Sequence, residues 1–222
     1  TLTPDDRVEI NGQSFVALRA DDLNRSIRLG TELLEASQDK GLQPQAPAFV
    51  EIELNGSDAA DLLLPSEALK MLSSSGVHVY VKKSGAALLF PIESVYNGED
   101  DGVAISIQRS GGQAVTESGG RYWPAAEYAF EVFKIVGSQA EPIESFTSEV
   151  AATVEYDPEG LDPEKIGFYY FNDETGSWEY IRGARHDVGN HTFTVSLPHF
   201  SRYGVLEFTR TYADLADVYP EA

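Results

Sequence analysis

Residues 150–156, VAATVEY, set Val150, Ala152, Val154 and Tyr156 on one side of an extended chain. Residues 191–197, HTFTVSL, repeat the device: Phe193, Val195 and Leu197 alternate with Thr192, Thr194 and Ser196. A two-residue period does not suit a helix, whose faces return every 3.6 residues, so both runs predict half-buried strands. Between them lie IGFYYF (166–171) and SWEYIRG (177–183), with turn residues over Asn172–Gly176, which predict a hairpin. Short strands at this spacing, broken by DPEGLDPEK (157–165), fold as a sandwich more readily than as a parallel sheet. We therefore expect an immunoglobulin-like antiparallel β-sandwich over residues 141–210.

The first 140 residues read differently, as an α+β module. QSFVALRA (13–20) is β-prone, and Asp21 or Asp22 is placed to cap a helix carrying Leu23, Ile27, Leu33 and Leu34. FVEIEL (49–54) alternates as a strand and ends at Asn55-Gly56. DLLLP (61–65) is a strand, Ser66 caps a helix that turns Leu69 and Leu72 inward, and Gly76 stops it. VHVYVKK and AALLFPI flank Ser84-Gly85 as two further strands, and VAISIQR (103–109) alternates as another. The Gly- and Ser-rich stretch 110–126 predicts a loop, after which EYAFEVFKI (127–135) resumes a strand. GSQAEPIES (137–145) marks the expected boundary between the two modules.

The net charge of -20 argues against a nucleic-acid partner, since phosphate binding depends on clustered Lys and Arg. An anionic membrane surface is disfavoured for the same reason. The absence of cysteine removes disulfides, thiolate metal sites and a Cys nucleophile. No run approaches a membrane-spanning length of about 20 apolar residues. TLTPDDRVEI is not a signal peptide, so an export signal is expected upstream of it. NGEDDG (97–102) lacks the ligand order of a calcium loop and reads as an acidic turn. His186, His191 and His199 do not have zinc-like spacing. No phosphate-binding loop, nucleophile elbow or dinucleotide glycine pattern is present, and neither metal nor cofactor is expected.

The block VEYDPEGLDPEKIGFYYFNDETGSWEYIRGARHDVGNHTFTVSLPHFSRYGVLEF (154–208) resembles a module of Gram-positive (Bacillota) cell-surface proteins that precedes S-layer homology repeats. The segment 61–95 is similar, less specifically, to what lies upstream of it there. The tail YADLADVYPEA (212–222) resembles the opening of an S-layer homology repeat, with Tyr212, Asp214 and Leu215 at matching positions; residues 211–222 are expected to be its truncated start. The resemblance implies an extracellular, wall- or S-layer-associated parent protein. Its partners would be neighbouring surface-protein domains and, through repeats downstream of this chain, a cell-wall polymer. The expected role is a non-catalytic spacer or assembly module.

Two sharper alternatives attach to particular residues. His199-Phe200-Ser201 is similar to the cleavage site of certain self-cutting β-modules. There the Ser201 hydroxyl would attack the Phe200 carbonyl carbon, the acyl group would shift from N to O, and water would hydrolyse the ester with His199 as base. Separately, the aromatics Tyr169, Tyr170, Trp178 and Tyr180 suggest a carbohydrate-binding face, because rings on an exposed sheet stack on sugars. Successive residues of a strand point to opposite sides, so some of these rings must face outward if the others are core.

Overall fold

A computed structural model of the chain describes residues 1–4, 6–10, 12–41, 48–54, 60–112, 115–117 and 120–209. In chain order the elements are β1 (Asp6–Ile10), β2 (Gln13–Ala17), α1 (Ala20–Asp39), β3 (Phe49–Glu53), β4 (Asp61–Pro65), α2 (Ser66–Ser75), β5 (His78–Lys83) and β6 (Ala86–Phe90). A single 3-10 turn at Ile92–Ser94 precedes β7 (Gly102–Ser110), β8 (Val115–Glu117), β9 (Gly120–Val136) and β10 (Gln139–Pro142). Then come β11 (Val150–Glu155), β12 (Ile166–Asn172), β13 (Ser177–Tyr180), β14 (Arg185–Asp187), β15 (Thr192–Leu197) and β16 (Arg202–Thr209). The fold is of the α+β class, with two β-sheets in a sandwich-like packing. The sequence reading of 211–222, and of the turn at Asn55-Gly56, lies outside the described residues.

Two compact units are present, and each is gathered from separated stretches. Among the described residues, the first takes those within 1–107, 131–152 and 196–200; the second takes those within 108–130, 153–195 and 201–209. The sequence reading divides the chain near 137–145, whereas these units interleave. Four strands are divided between the units: β7 after Ile107, β9 after Phe130, β11 after Ala152 and β15 after Val195.

In the first unit, β1, β2, β4 and β7 to Ile107 are ordered side by side, and β3, β5, β6 and β11 to Ala152 form the second set. The pairs β2–β4 and β3–β5 are parallel, an arrangement that needs crossovers, and α1 and α2 lie on those connections. Helix α2 behaves as its sequence predicts: Leu69 and Leu72 are fully buried, and Gly76 ends it in the left-handed region at φ 64°. Its first-turn cap differs, because Pro65 occupies the cap position and Ser66 is already helical. Helix α1 likewise has Arg19 rather than an Asp as cap, with Asp21 and Asp22 in the first turn, where they favour the helix dipole. Leu23 is buried while Leu33 is exposed, so these two positions of the expected apolar stripe are used differently. Strand β7 departs from the expected alternation: Gly102–Ile107 are buried on both faces.

The second unit is a two-sheet sandwich. One sheet carries β9, β16, β12 and β13 in that order, with β8 also on β9; the other carries β11, β15 and β14. Phe168 and Tyr203 stack at 5.7 Å, and Phe168 meets Phe193 of the other sheet at 6.1 Å. The Tyr128 hydroxyl donates to the Glu155 carbonyl at 2.7 Å across the same core. Burial pushes that phenol up to about 12. Val154, Phe193 and Val195 are buried as their alternation predicts.

Candidate functional site

Strand alternation decides where the four aromatics of β12 and β13 go. Tyr169 and Trp178 join Leu206 in a cluster on the side of the sheet away from Phe168, with Tyr122, Phe171 and Phe208 packed against it. Tyr170 points the other way and meets Tyr203 at 5.9 Å. Tyr180 pairs across strands with Tyr169, edge to face at 5.5 Å, and is 61% exposed. Tyr169 and Trp178 are both 7% exposed, so of the four named rings Tyr180 is the one offered broadly to solvent. Two glycines seat the rings on the sheet: the place of a Cβ on Gly167 lies 2.9 Å from Tyr169 and Tyr180 carbons, and that on Gly204 lies 3.0 Å from the Trp178 ring. The Arg202 guanidinium covers Phe171 at 3.5 Å.

His199, Phe200 and Ser201 lie on the connection from β15 to β16. The Phe200 ring meets Phe146 edge-on at 4.7 Å, and the Ser201 carbonyl accepts from the Phe130 amide at 3.0 Å. His199 Nδ1 lies 3.4 Å from the Phe200 carbonyl oxygen, at the outer edge of hydrogen-bond range. The imidazole thus lies at the carbonyl of the Phe200–Ser201 bond, where an oxyanion donor would sit. None of the three residues has a positive φ.

The acidic turn is used structurally. Asn97 Oδ1 accepts from the Glu99 amide at 3.0 Å, and Asp101 Oδ2 accepts from Gly137 at 2.7 Å. Among the described residues no group of three His, Cys, Asp or Glu side chains is arranged to hold a metal ion, and no helix is long and apolar enough to cross a membrane. His186 stacks on Phe193 at 4.2 Å, and its Nε2 shares a hydrogen bond with the Tyr156 hydroxyl at 2.8 Å.

A cleft of about 530 Å³ opens in the second unit, and no candidate residue from the sequence reading lines it. One wall is β9 and β16, where Trp123 stands directly opposite Glu207. The pairing shifts by one residue between Val205 and Leu206: Ala126 faces Val205 and Pro124 faces Leu206, leaving Ala125 as the extra residue of a bulge. That extra residue changes parity, so Trp123 falls on the same side of the sheet as Ala126. The facing wall is the loop after β11, with Asp157, Glu159, Gly160 and Leu161. It is internally braced: the Glu159 amide donates to Asp157 Oδ1 at 3.0 Å, and the Leu161 amide to the Pro158 carbonyl at 3.1 Å. The Asp162 amide donates to Glu207 Oε2 at 3.2 Å and ties loop to strand. Trp123 is 43% exposed, with the Arg121 guanidinium 3.9 Å from its ring centre.

The loop expected over 110–126 is therefore corrected: β8 and the start of β9 lie within it. The available signal was RYW, an aromatic-rich triplet out of place in a solvated linker.

No family model matches the chain. A stretch of 158 residues is 25% identical to the amylopullulanase of Thermoanaerobacterium thermosulfurigenes, covering 69% of this chain and 8% of that protein.

Proposed function

We propose that this chain is a non-catalytic spacer or assembly module of a longer extracellular protein. The observation that carries this reading is the span of the match: most of this chain corresponds to a small part, 8%, of a much larger protein. The resemblance of 154–208 to a module preceding S-layer homology repeats supports a cell-wall or S-layer setting, with neighbouring domains and a wall polymer as partners. We read the second unit as immunoglobulin-like, with β11, β15 and β14 opposing β12, β13 and β16. In that reading β9 takes the place beside β16 that a later strand would fill. A packed sandwich with most large side chains buried resists extension, and a net charge of -20 limits non-specific association.

The test is intact mass after prolonged storage, together with single-molecule stretching of the chain between inert handles. One species at 24.3 kDa that unfolds in discrete force steps is expected. A nick between Phe200 and Ser201, lost in Ser201→Ala, would replace this reading with self-cleavage. Smooth, step-free extension would remove the mechanical role.

A further inference from the structure

We propose that the Trp123 cleft binds a neutral glycan chain, an inference that goes beyond the spacer reading and stands without it. The cleft volume, about 530 Å³, falls in the range of about 300–1,000 Å³ found for small-molecule sites. Its wall offers one broad aromatic surface, the half-exposed Trp123 indole, with Leu161 and Pro124 beside it. Around that surface stand the carboxylates of Asp157, Glu159 and Glu207, which only accept hydrogen bonds when ionised. A flat apolar face rimmed by acceptors matches a pyranose, whose C–H face is apolar and whose edge is a ring of hydroxyl donors.

The charges around the cleft discriminate among other ligands. Three carboxylates in a chain of net charge -20 repel an anionic polymer. A cationic ligand would use the same carboxylates, but its attraction to the indole is already opposed. The Arg121 guanidinium sits 3.9 Å from the ring centre and places positive charge against the π-system a second cation would need. A neutral, hydroxyl-bearing ligand incurs neither penalty. The cleft is also built before any ligand arrives. The bulge at Ala125 aims Trp123 into it, the Asp157–Glu159 and Leu161–Pro158 hydrogen bonds shape the loop, and Asp162 holds Glu207.

The test titrates the whole chain with maltohexaose, cellohexaose and chitohexaose by calorimetry and amide NMR, with choline as a cationic control. Saturable binding of at least one hexasaccharide is expected, with shifts centred on Trp123 and residues 157–161. Trp123→Ala should weaken it more than about tenfold. If Trp123→Ala does not fold, Glu159→Gln with Asp157→Asn supplies the second variant. These changes keep the fold and should reduce sugar affinity several-fold. The proposal is overturned if none of the three sugars binds at about 10 mM, a very weak affinity. Choline binding in place of sugars, or sugar shifts that map to Tyr180 and survive loss of Trp123, would overturn it equally.

Discussion

Gly204 occupies a position on β16 where the outer face of the second unit has no room for a methyl group. A Cβ built there would lie 3.0 Å from two ring carbons of Trp178 and 2.9 Å from a Leu206 methyl. Neither neighbour moves freely, since Trp178 is 7% exposed and Leu206 1%. Replacing a strand glycine with alanine ordinarily gains about 0.5–1 kcal/mol by reducing the freedom of the unfolded chain. Overpacking a buried site by one methyl costs about 1–3 kcal/mol. Taking the middle of each range, the balance for Gly204→Ala is a net loss of about 1 kcal/mol. The same substitution at Gly30, inside α1, has no heavy atom within 4 Å of the added Cβ and a φ outside the left-handed region. There the entropic gain stands alone, and Gly30→Ala should stabilise by about 0.5–1 kcal/mol. Urea unfolding followed by far-ultraviolet circular dichroism checks both, and for Gly204→Ala, since the sequence has only two tryptophans, Trp123→Phe as background makes the fluorescence report on Trp178. Opposite displacements of the midpoint with an unchanged slope are expected. A Gly204→Ala protein as stable as its parent would refute the claim that this glycine exists to seat the indole.

Lys83 and Asp61 form a 2.8 Å ion pair with side chains 6% and 16% exposed, so Lys83→Met should cost about 3 kcal/mol by stranding a partly buried carboxylate. Adding Asp61→Leu should recover most of that loss in the same urea assay. Tyr128→Phe leaves the Glu155 carbonyl without its 2.7 Å donor and should cost about 1–2 kcal/mol; relative to the parent, ultraviolet titration of the variant should lack one phenol ionising near 12. His186 has its pKa held below the ordinary 6.5, chiefly by burial and against the pull of Asp187. The unfolded chain therefore takes up that proton first as pH falls. The His186 contribution is intact above about pH 6.5 and declines as pH drops through that value toward the folded pKa. His186→Phe should flatten this part of the pH dependence relative to the parent, and a His186 NMR titration midpoint above 6.5 would contradict it.

What was legible in the sequence was what short-range periodicity controls. The alternation through Val150–Tyr156 and Phe193–Leu197, the helix with Leu69 and Leu72, and the turn at Ser84-Gly85 appear as expected. Ser84 and Gly85 both have positive φ, which a tight hairpin turn requires. What failed depended on partners distant in the chain. Strand β7 is buried on both faces over Gly102–Ile107, so its sequence need not alternate as a one-faced strand would. The strands β1, β10 and β14 are exposed or half-buried throughout, so their sequences carry too little apolar signal to be found from periodicity.

The Trp123 cleft shows the same limit in its sharpest form. From Ala126, Tyr128 and Phe130, alternation run backward along β9 puts residue 124 on the inner side and residue 123 on the outer. The observed pairing reverses this, because Ala125 has no partner of its own on β16 and everything N-terminal to it changes side. That reversal sends Tyr122 to the outer cluster beside Phe208 and Trp123 toward Glu207 and the 157–161 loop. Nothing in RYWPAAEY specifies which residue bulges. Position 206 of a strand some 80 residues downstream settles it, by accepting Pro124 rather than Ala125 as its neighbour. The aromatics that sequence singled out, Tyr169 and Trp178, were conspicuous because they are crowded together, and crowding is what buried them. An aromatic free to meet a ligand is one whose strand has been shifted away from such a cluster, and here a single extra residue makes that shift.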